Sequence, residues 1–273
     1  MSAEENVRAG RLDQALGDLQ TEVKKRPGDG KLRVFLFQLL AVMGQRERAL
    51  AQLKVAADLD PTSLPMKQTY EHALASEQVR SDVFAGRATP HLFGEPAEWM
   101  ALLVQSLRLV AEGQFEAAAR LRERAFEDAP ATAGKIDGQD FAWIADADSR
   151  LGPMLEAVIN GRYHWIPFAR LRRIRIEKPV DLRDLAWMPV SLVFANAGET
   201  VALIPTRYPG SDQAPDSRIV MARSTEWTDH DGDTHIGLGQ RLLATDQGEF
   251  PLMDVRDIEL AADPAAPSPA ASV

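Results

Sequence analysis

The chain of 273 residues contains no cysteine. That absence excludes disulfide bonds, thiol catalysis and cysteine-bound zinc, and it is typical of a reducing compartment. The N-terminus has neither the basic nor the apolar region of a secretory signal, and apolar runs such as VFLFQLLAVM are too short to cross a bilayer. We therefore expect a cytoplasmic protein with no membrane partner.

Positive charge is scarce in the chain as a whole, whose formal net charge is −9. This balance argues against general nucleic-acid binding. Residues 161–180 form a basic strip with six basic residues and one acidic residue. In this strip RYHWIPFARLRRIRIEK sets arginines beside aromatic residues, a combination that can bind single-stranded nucleic acid. Fourteen acidic residues in 181–260 are available to pair with these arginines. We predict no nucleic-acid partner.

A pattern recurs after 34 residues in the N-terminal part of the chain. The residues that repeat at this interval are Gly10, Ala15, Leu16, Leu19 and Pro27, which return as Gly44, Ala49, Leu50, Leu53 and Pro61. A looser copy contains Gly113, Ala118, Ala125 and Pro130, and residues 63–86 read as a degenerate copy. The period equals one tetratricopeptide helix pair, and such repeats stack into a curved surface that holds another protein.

Beyond Pro130 the helical pattern ends. An apolar face at Leu151, Leu155, Val158 and Ile159 predicts a short helix over 150–159. Short alternating or apolar runs separated by Gly, Asp and Pro then predict five to seven strands. The predicted strands lie in RLRRIRIE, VSLVFAN, TVALIPTRY, RIVMARSTEW, THIGLGQRLLAT and EFPLMDVRDIEL.

These patterns predict an α+β protein, with an N-terminal tetratricopeptide-like α-helical repeat domain followed by a smaller antiparallel β-rich C-terminal domain. The predicted divisions are repeats over 1–130, a connecting segment and helix over 131–160, the β-rich domain over 161–260 and a disordered Pro/Ala/Ser-rich tail over 261–273.

The long run from DGQDFAWIADADSRLGPMLEAVINGRYHW to DLRDLAWMPV resembles the ImpE family, also called TagJ or SciE, of type VI secretion accessory proteins. IPTRYPGS, ARSTEW, GQRLLATDQGE and LMDVRDI continue the resemblance in order. The resemblance implies a non-enzymatic adaptor that binds the N-terminal helix of the small contractile-sheath subunit, TssB. It also implies a link, through the sheath, to disassembly by the ClpV unfoldase.

Two surfaces are candidates for binding such a helix, because an amphipathic helix needs an apolar slot with polar edges. One is the concave face of the repeats. The other is the β-rich domain or its junction with the repeats, where aromatic and arginine residues of the kind that anchor interfaces are dense. We predict partner contacts at this junction, from Trp143, Asp146, Asp148, Arg150, Tyr163, Trp165, Trp187, Arg207 and Tyr208. Trp165 is equally compatible with a core position.

A small metal-dependent or hydrolytic enzyme in the β-rich domain is the alternative interpretation. Its main support is TDHDGDTH, where Asp229, Asp231 and Asp233 imitate the start of a calcium loop. Thr234 occupies the position that needs glycine, and Asp-Gly between two strands favours a hairpin turn. No phosphate-binding loop, dinucleotide fingerprint or HExxH is present. We predict no catalytic residue, no metal and no cofactor.

Overall fold

Seven α-helices precede the first long strand in the computed structural model, which describes residues 2–261. They are α1 (Ala3–Arg8), α2 (Leu12–Lys25), α3 (Gly30–Val42), α4 (Arg46–Leu59), α5 (Leu64–Phe84), α6 (Glu98–Ala111) and α7 (Phe115–Asp128). The predicted disordered tail lies, apart from Ala261, outside the described residues.

The 34-residue period corresponds to antiparallel helix pairs. Gly10, Gly44 and Gly113 occupy the turns inside the pairs α1–α2, α3–α4 and α6–α7, with φ of +75°, +69° and +75°. A helix commonly ends in this left-handed conformation, which glycine adopts without steric cost. The recurring glycines are therefore explained by the turns, and the predicted repeats are confirmed.

The degenerate copy retains only the first helix of its pair. α5 runs unbroken for 21 residues. Where a second helix would follow, residues 85–97 form a loop that contains the short strand β1 (His91–Leu92). β1 pairs in parallel with a strand of the β-rich part, so this repeat is where the helices connect to the sheet.

The remaining strands all follow α7. They are β2 (Gly134–Ile136), β3 (Gln139–Phe141), β4 (Ile144–Asp146), β5 (Met154–Ile159), β6 (Arg162–Pro167), β7 (Leu171–Ile176), β8 (Trp187–Phe194), β9 (Glu199–Pro205), β10 (Thr225–His230), β11 (Thr234–Gly239), β12 (Leu242–Thr245), β13 (Gly248–Pro251) and β14 (Asp257–Leu260). Eight of them form one nine-stranded sheet with β1, in the order β1-β6-β5-β9-β8-β7-β14-β2-β3. β13-β12-β4 form a second sheet, and β10-β11 form a hairpin.

Three secondary-structure predictions are wrong. The sequence predicts five to seven strands beyond residue 160, and the described part of the chain has nine there, β6 to β14. The helix predicted over 150–159 is instead β5, whose six residues are all buried. A short apolar run covered on both faces has the same composition in a buried strand and a buried helix, so periodicity did not separate them. The start of the strand predicted in RIVMARSTEW is the short helix α8 (Ser217–Val220), capped by the Asp216 carboxylate, which accepts from the Arg218 amide.

The hydrophobic core crosses the predicted domain boundaries. One cluster joins α1–α5 to Val158, Trp187 and Leu203 of the nine-stranded sheet. A second joins α5, α6 and α7 to Met154 and Trp165. A third lies inside the β-rich part. The predicted α+β class is confirmed, and the helical and β-rich parts share much of their buried surface. The boundaries at 130 and 160 stay a prediction.

Candidate partner-binding site

The residues predicted to bind a partner come together at the junction between the helices and the sheet, but almost all of them are enclosed. Only Trp143 is exposed, at 41%. The buried members are Asp146, Asp148, Arg150, Tyr163, Trp165, Trp187, Arg207 and Tyr208. Direct contact with a partner through these eight side chains does not fit this arrangement, because they bond to other parts of the chain. Trp165 occupies the core position that its sequence context also allowed.

An ionic cluster centred on Glu156 of β5 holds the junction together. Arg80 of α5 donates to both oxygens of the Glu156 carboxylate, at 2.7 and 3.0 Å. Arg241 and the Tyr163 hydroxyl donate to the same carboxylate. We call Arg80, Glu156, Tyr163, Arg241 and Asp146 the junction network. All five are buried. The Glu156 carboxylate has therefore exchanged water for bonds from α5, from β6 and from the residue that precedes β12.

Charge compensation decides the ionisation of the network. Burial disfavours the Glu156 carboxylate, but the charges of Arg80 and Arg241 outweigh that cost and lower its pKa to about 2. Burial raises the pKa of Asp146 to about 7, although Arg241 lies 3.3 Å away, and the nearby Asp148 adds to the rise. Glu156 is therefore firmly ionised at neutral pH, whereas Asp146 titrates there.

Three further predicted residues bond near the same junction, and two of them reach the helices. Asp148 accepts from the Arg150 guanidinium at 2.8 Å and from the Gly237 amide of β11 at 2.9 Å. Arg150 in turn lies over the Phe84 ring at the end of α5, 4.8 Å from its centroid. The Arg207 guanidinium donates to the Val42 carbonyl at the end of α3, at 2.8 Å. Arg150 and Arg207 therefore link the helices to the β-rich part, whereas Asp148 holds Arg150 and the β10–β11 hairpin.

Three members of the junction network, Arg80, Glu156 and Arg241, were missed by sequence reasoning. The available signal was Glu156, a single carboxylate inside the apolar run MLEAVI. A carboxylate in a fully buried strand needs a cationic partner, but the sequence does not indicate which arginine supplies it.

The chain itself fills the face of the repeats formed by α3 and α5. Leu36 to Val42 of α3 are all buried, and the Gln38 side chain accepts from the Leu182 amide at 3.0 Å. Trp187 donates to Glu77 of α5 at 2.8 Å and packs against Tyr70. This part of the repeat surface is therefore not open to a partner helix.

The Asp/His cluster forms the predicted hairpin. β10 and β11 pair from Thr225 to Gly239, with the turn at residues 231–233. The two ring nitrogens of His235 lie 2.7 Å from an Asp229 oxygen and 3.0 Å from an Asp233 oxygen, and these hydrogen bonds raise the pKa of His235. Across residues 2–261, no group of three His, Asp or Glu side chains is arranged to hold a metal ion.

The hairpin turn also docks on the last helix pair. The buried Arg122 of α7 donates to the carbonyls of Gly232 and Asp233, at 2.8 and 2.9 Å, and to the Thr234 hydroxyl at 3.1 Å. The rings of Phe115 and His230 stack at 4.1 Å. The acidic turn thus has a structural role in joining the β-rich part to α7.

One extended surface near the junction stays open. A hollow of about 710 Å³ lies between α5 and the outer face of β8 and β9, and another of about 760 Å³ lies over β7, β8 and β9. They share Ser191 and Val201, so they form one continuous depression, which we call the outer groove. Val201 is 76% exposed at its centre. Met66 and His72 line its α5 side, and Arg175 lines its β7 side.

No helix within the described residues is long and apolar enough to cross a membrane. This result covers residues 2–261 and agrees with the short apolar runs of the sequence in that part of the chain.

Comparisons with known proteins identify relatives of the whole chain. The model of the ImpE protein family matches residues 138–259. A curated protein of Pseudomonas aeruginosa PAO1, named type VI secretion system accessory component TagJ, is 53% identical over 95% of this chain and 91% of its own length. The crystal structure of protein VPA1032 from Vibrio parahaemolyticus has a TM-score of 0.87 at 26% identity, over 96% of this chain and 98% of that one. The sequence resemblance is thereby confirmed, and the chain belongs to the ImpE family.

Proposed function

We propose that this protein is a non-enzymatic adaptor of a bacterial type VI secretion system. The observation that carries the proposal is the 53% identity, over nearly the full length of both chains, to a protein named as an accessory component of that system. At this identity and coverage, the fold is shared.

The proposed partner is the small sheath subunit TssB, bound through its N-terminal helix in the cytoplasm. Through this contact the adaptor modulates sheath assembly or ClpV-dependent disassembly, with ClpV engaged indirectly. The outer groove supports a helical ligand, because it combines an apolar floor with polar edges, as helix-in-groove binding requires.

The nine residues predicted from sequence have two different roles in this proposal. The eight buried residues act from inside the fold, where Arg207 bonds to the end of α3, Trp187 bonds to α5 and Arg150 lies over Phe84 of α5. Trp143 is exposed and remains a candidate for direct contact. It does not line the outer groove, so it would contribute to a separate surface.

Calorimetric titration of the purified protein with a peptide of the TssB N-terminal helix tests the proposal. We expect saturable binding of the native peptide and none of a scrambled peptide of the same composition. We also expect a negative heat-capacity change, because apolar surface is buried. Absence of binding by a protein with a cooperative unfolding transition would refute the proposed partner.

A further inference from the structure

The outer face of the nine-stranded sheet is covered at one end and bare at the other. Val158 of β5 and Leu203 of β9 lie under the helices in the same core cluster as α1–α5. Two residues earlier in β9, on the same face of the strand, Val201 is 76% exposed. The helices thus end partway across an apolar sheet face, and the outer groove begins where their cover stops.

The groove has the dimensions of a short helix. Its floor along β9, from Glu199 to Leu203, spans about 13 Å at 3.3 Å per residue. That length accommodates about two turns of helix at 5.4 Å per turn. Residues 65–72 of α5 form one end of the groove, so a bound helix would contact α5 as well as the sheet.

Three arginines of the groove lie on its β7 side. The strand register places Arg175 of β7 opposite Ser191 of β8, and Ser191 opposite Val201 of β9. The neighbouring Arg173 forms ion pairs with Asp257 and Glu259. Within the described residues, no ion pair involves the exposed Arg172 or Arg175. The β7 side is therefore cationic.

The β9 side carries the opposite charge at one end, where Glu199 is exposed. Glu177, also exposed, continues β7 two residues after Arg175, so the positive charge of the β7 side lies away from the α5 end of the groove. A ligand with acidic residues on one flank is accordingly attracted to β7 and repelled from Glu199, which fixes the direction in which that flank points.

From these observations we propose that the outer groove binds an amphipathic helix of a partner protein, with the apolar stripe of the helix on Val201 and acidic side chains facing Arg172 and Arg175. The proposal rests on the proposed function for the identity of the ligand, the TssB N-terminal helix. To that proposed function it adds the surface on which the helix binds, the direction in which the helix lies and the acidic charge of the side that faces β7.

Titration of the native TssB peptide into the full-length wild-type protein, Val201→Glu and Val180→Glu tests the surface. Val180 is 84% exposed and lies outside the groove, so it provides a matched valine-to-glutamate control. We expect Val201→Glu to raise Kd by about tenfold or more, because a charge is buried against the apolar stripe, and Val180→Glu to leave Kd within about twofold. Equal Kd values for all three proteins would refute the outer groove as the binding surface, and the proposed adaptor function would still stand. Absence of binding to the wild type would overturn both proposals.

A charge exchange tests the orientation. We expect Arg175→Glu to weaken binding, and a peptide whose acidic residues are replaced by lysine to bind Arg175→Glu more tightly than it binds the wild type. Arg124→Glu, an exposed site on α7, is the control. An unchanged Kd of the native peptide for Arg175→Glu would contradict the proposal that the ligand's acidic residues face β7. Light scattering of the protein alone provides the last check, since a mass that falls in Val201→Glu would assign the groove to a second copy of this chain.

Discussion

The junction network and the outer groove both set arginines beside carboxylates and apolar side chains, yet their arginines differ in what they bond. In the junction network, Arg80 and Arg241 are enclosed and share the Glu156 carboxylate. At the groove, Arg175 is exposed, and Ser191 lies between it and Val201. A buried charge without a partner is costly, so it is satisfied within the fold, whereas an exposed charge costs little and stays available to a ligand. Burial therefore separates residues that hold this molecule together from residues that are available for binding.

The largest expected effect comes from removing the centre of the junction network. Glu156→Ala leaves Arg80 and Arg241 buried without their shared carboxylate. Breaking a buried pair in this way costs about 3–5 kcal/mol of unfolding free energy. Urea unfolding followed by circular dichroism measures it, with Glu199→Ala on the exposed end of β9 as the control. Equal midpoints for Glu156→Ala and wild type would show that the network does not stabilise the junction.

A smaller loss is expected at the hairpin contact. Arg122→Ala removes three hydrogen bonds from a buried guanidinium to the turn at 232–234. Hydrogen bonds that involve a charged group contribute about 1.5–3 kcal/mol. We expect that loss of stability, together with faster amide exchange in β10 and β11. Arg124→Ala, exposed on the same helix, should change neither quantity. Unchanged exchange in the hairpin would mean that Phe115 and His230 hold it without Arg122.

The pH dependence of stability distinguishes two carboxylates of the junction network, Asp146 and Glu156. The pKa of Asp146 is about 7 in the folded protein and has an ordinary value of 3.8, so folding takes up a proton between these pH values. The contribution of Asp146 to the free energy of unfolding is fully present below about pH 4. It is lost as the pH rises through 7, by up to about 1.4 kcal/mol per pH unit. Glu156, whose pKa is about 2, stays ionised in the fold across this window.

Asp146→Asn should therefore remove a decline in stability between pH 5 and pH 7 that the wild type shows. The measurement is the urea midpoint at several pH values, and the control is Asp140→Asn, an exposed carboxylate on β3. A wild-type profile that matches the Asp146→Asn profile throughout would contradict the raised pKa.

The helical half of the fold was predictable because its signals are local. Glycine turns, small residues on one helix face and a closing proline repeat within 34 residues, and each has a direct backbone cause. The strands of the β-rich half were mostly predictable from alternation, as in β7, where Ile174 and Ile176 are buried between arginines. β5 was misassigned because both of its faces are covered, which removes the alternation.

The candidate site was less predictable, because its partners are distant in sequence. Arg80 and Glu156 are 76 residues apart, and Arg241 and Glu156 are 85 apart. Trp, Tyr and Arg anchor interfaces between proteins, and here the same residue types anchor the interface between two parts of one chain. Residue type alone therefore located the junction correctly but did not distinguish internal contacts from contacts with a partner.

The smallest stability effect is expected in the outer groove, and it separates that region most clearly from the junction. Val201 is largely exposed, so Val201→Thr, which keeps the β-branch, should change the unfolding free energy by less than about 0.5 kcal/mol. The same urea experiment measures it beside Glu156→Ala. A loss near that of Glu156→Ala would show that Val201 supports the fold. A negligible loss, with weakened peptide binding, would show that the sheet face is left uncovered for a ligand.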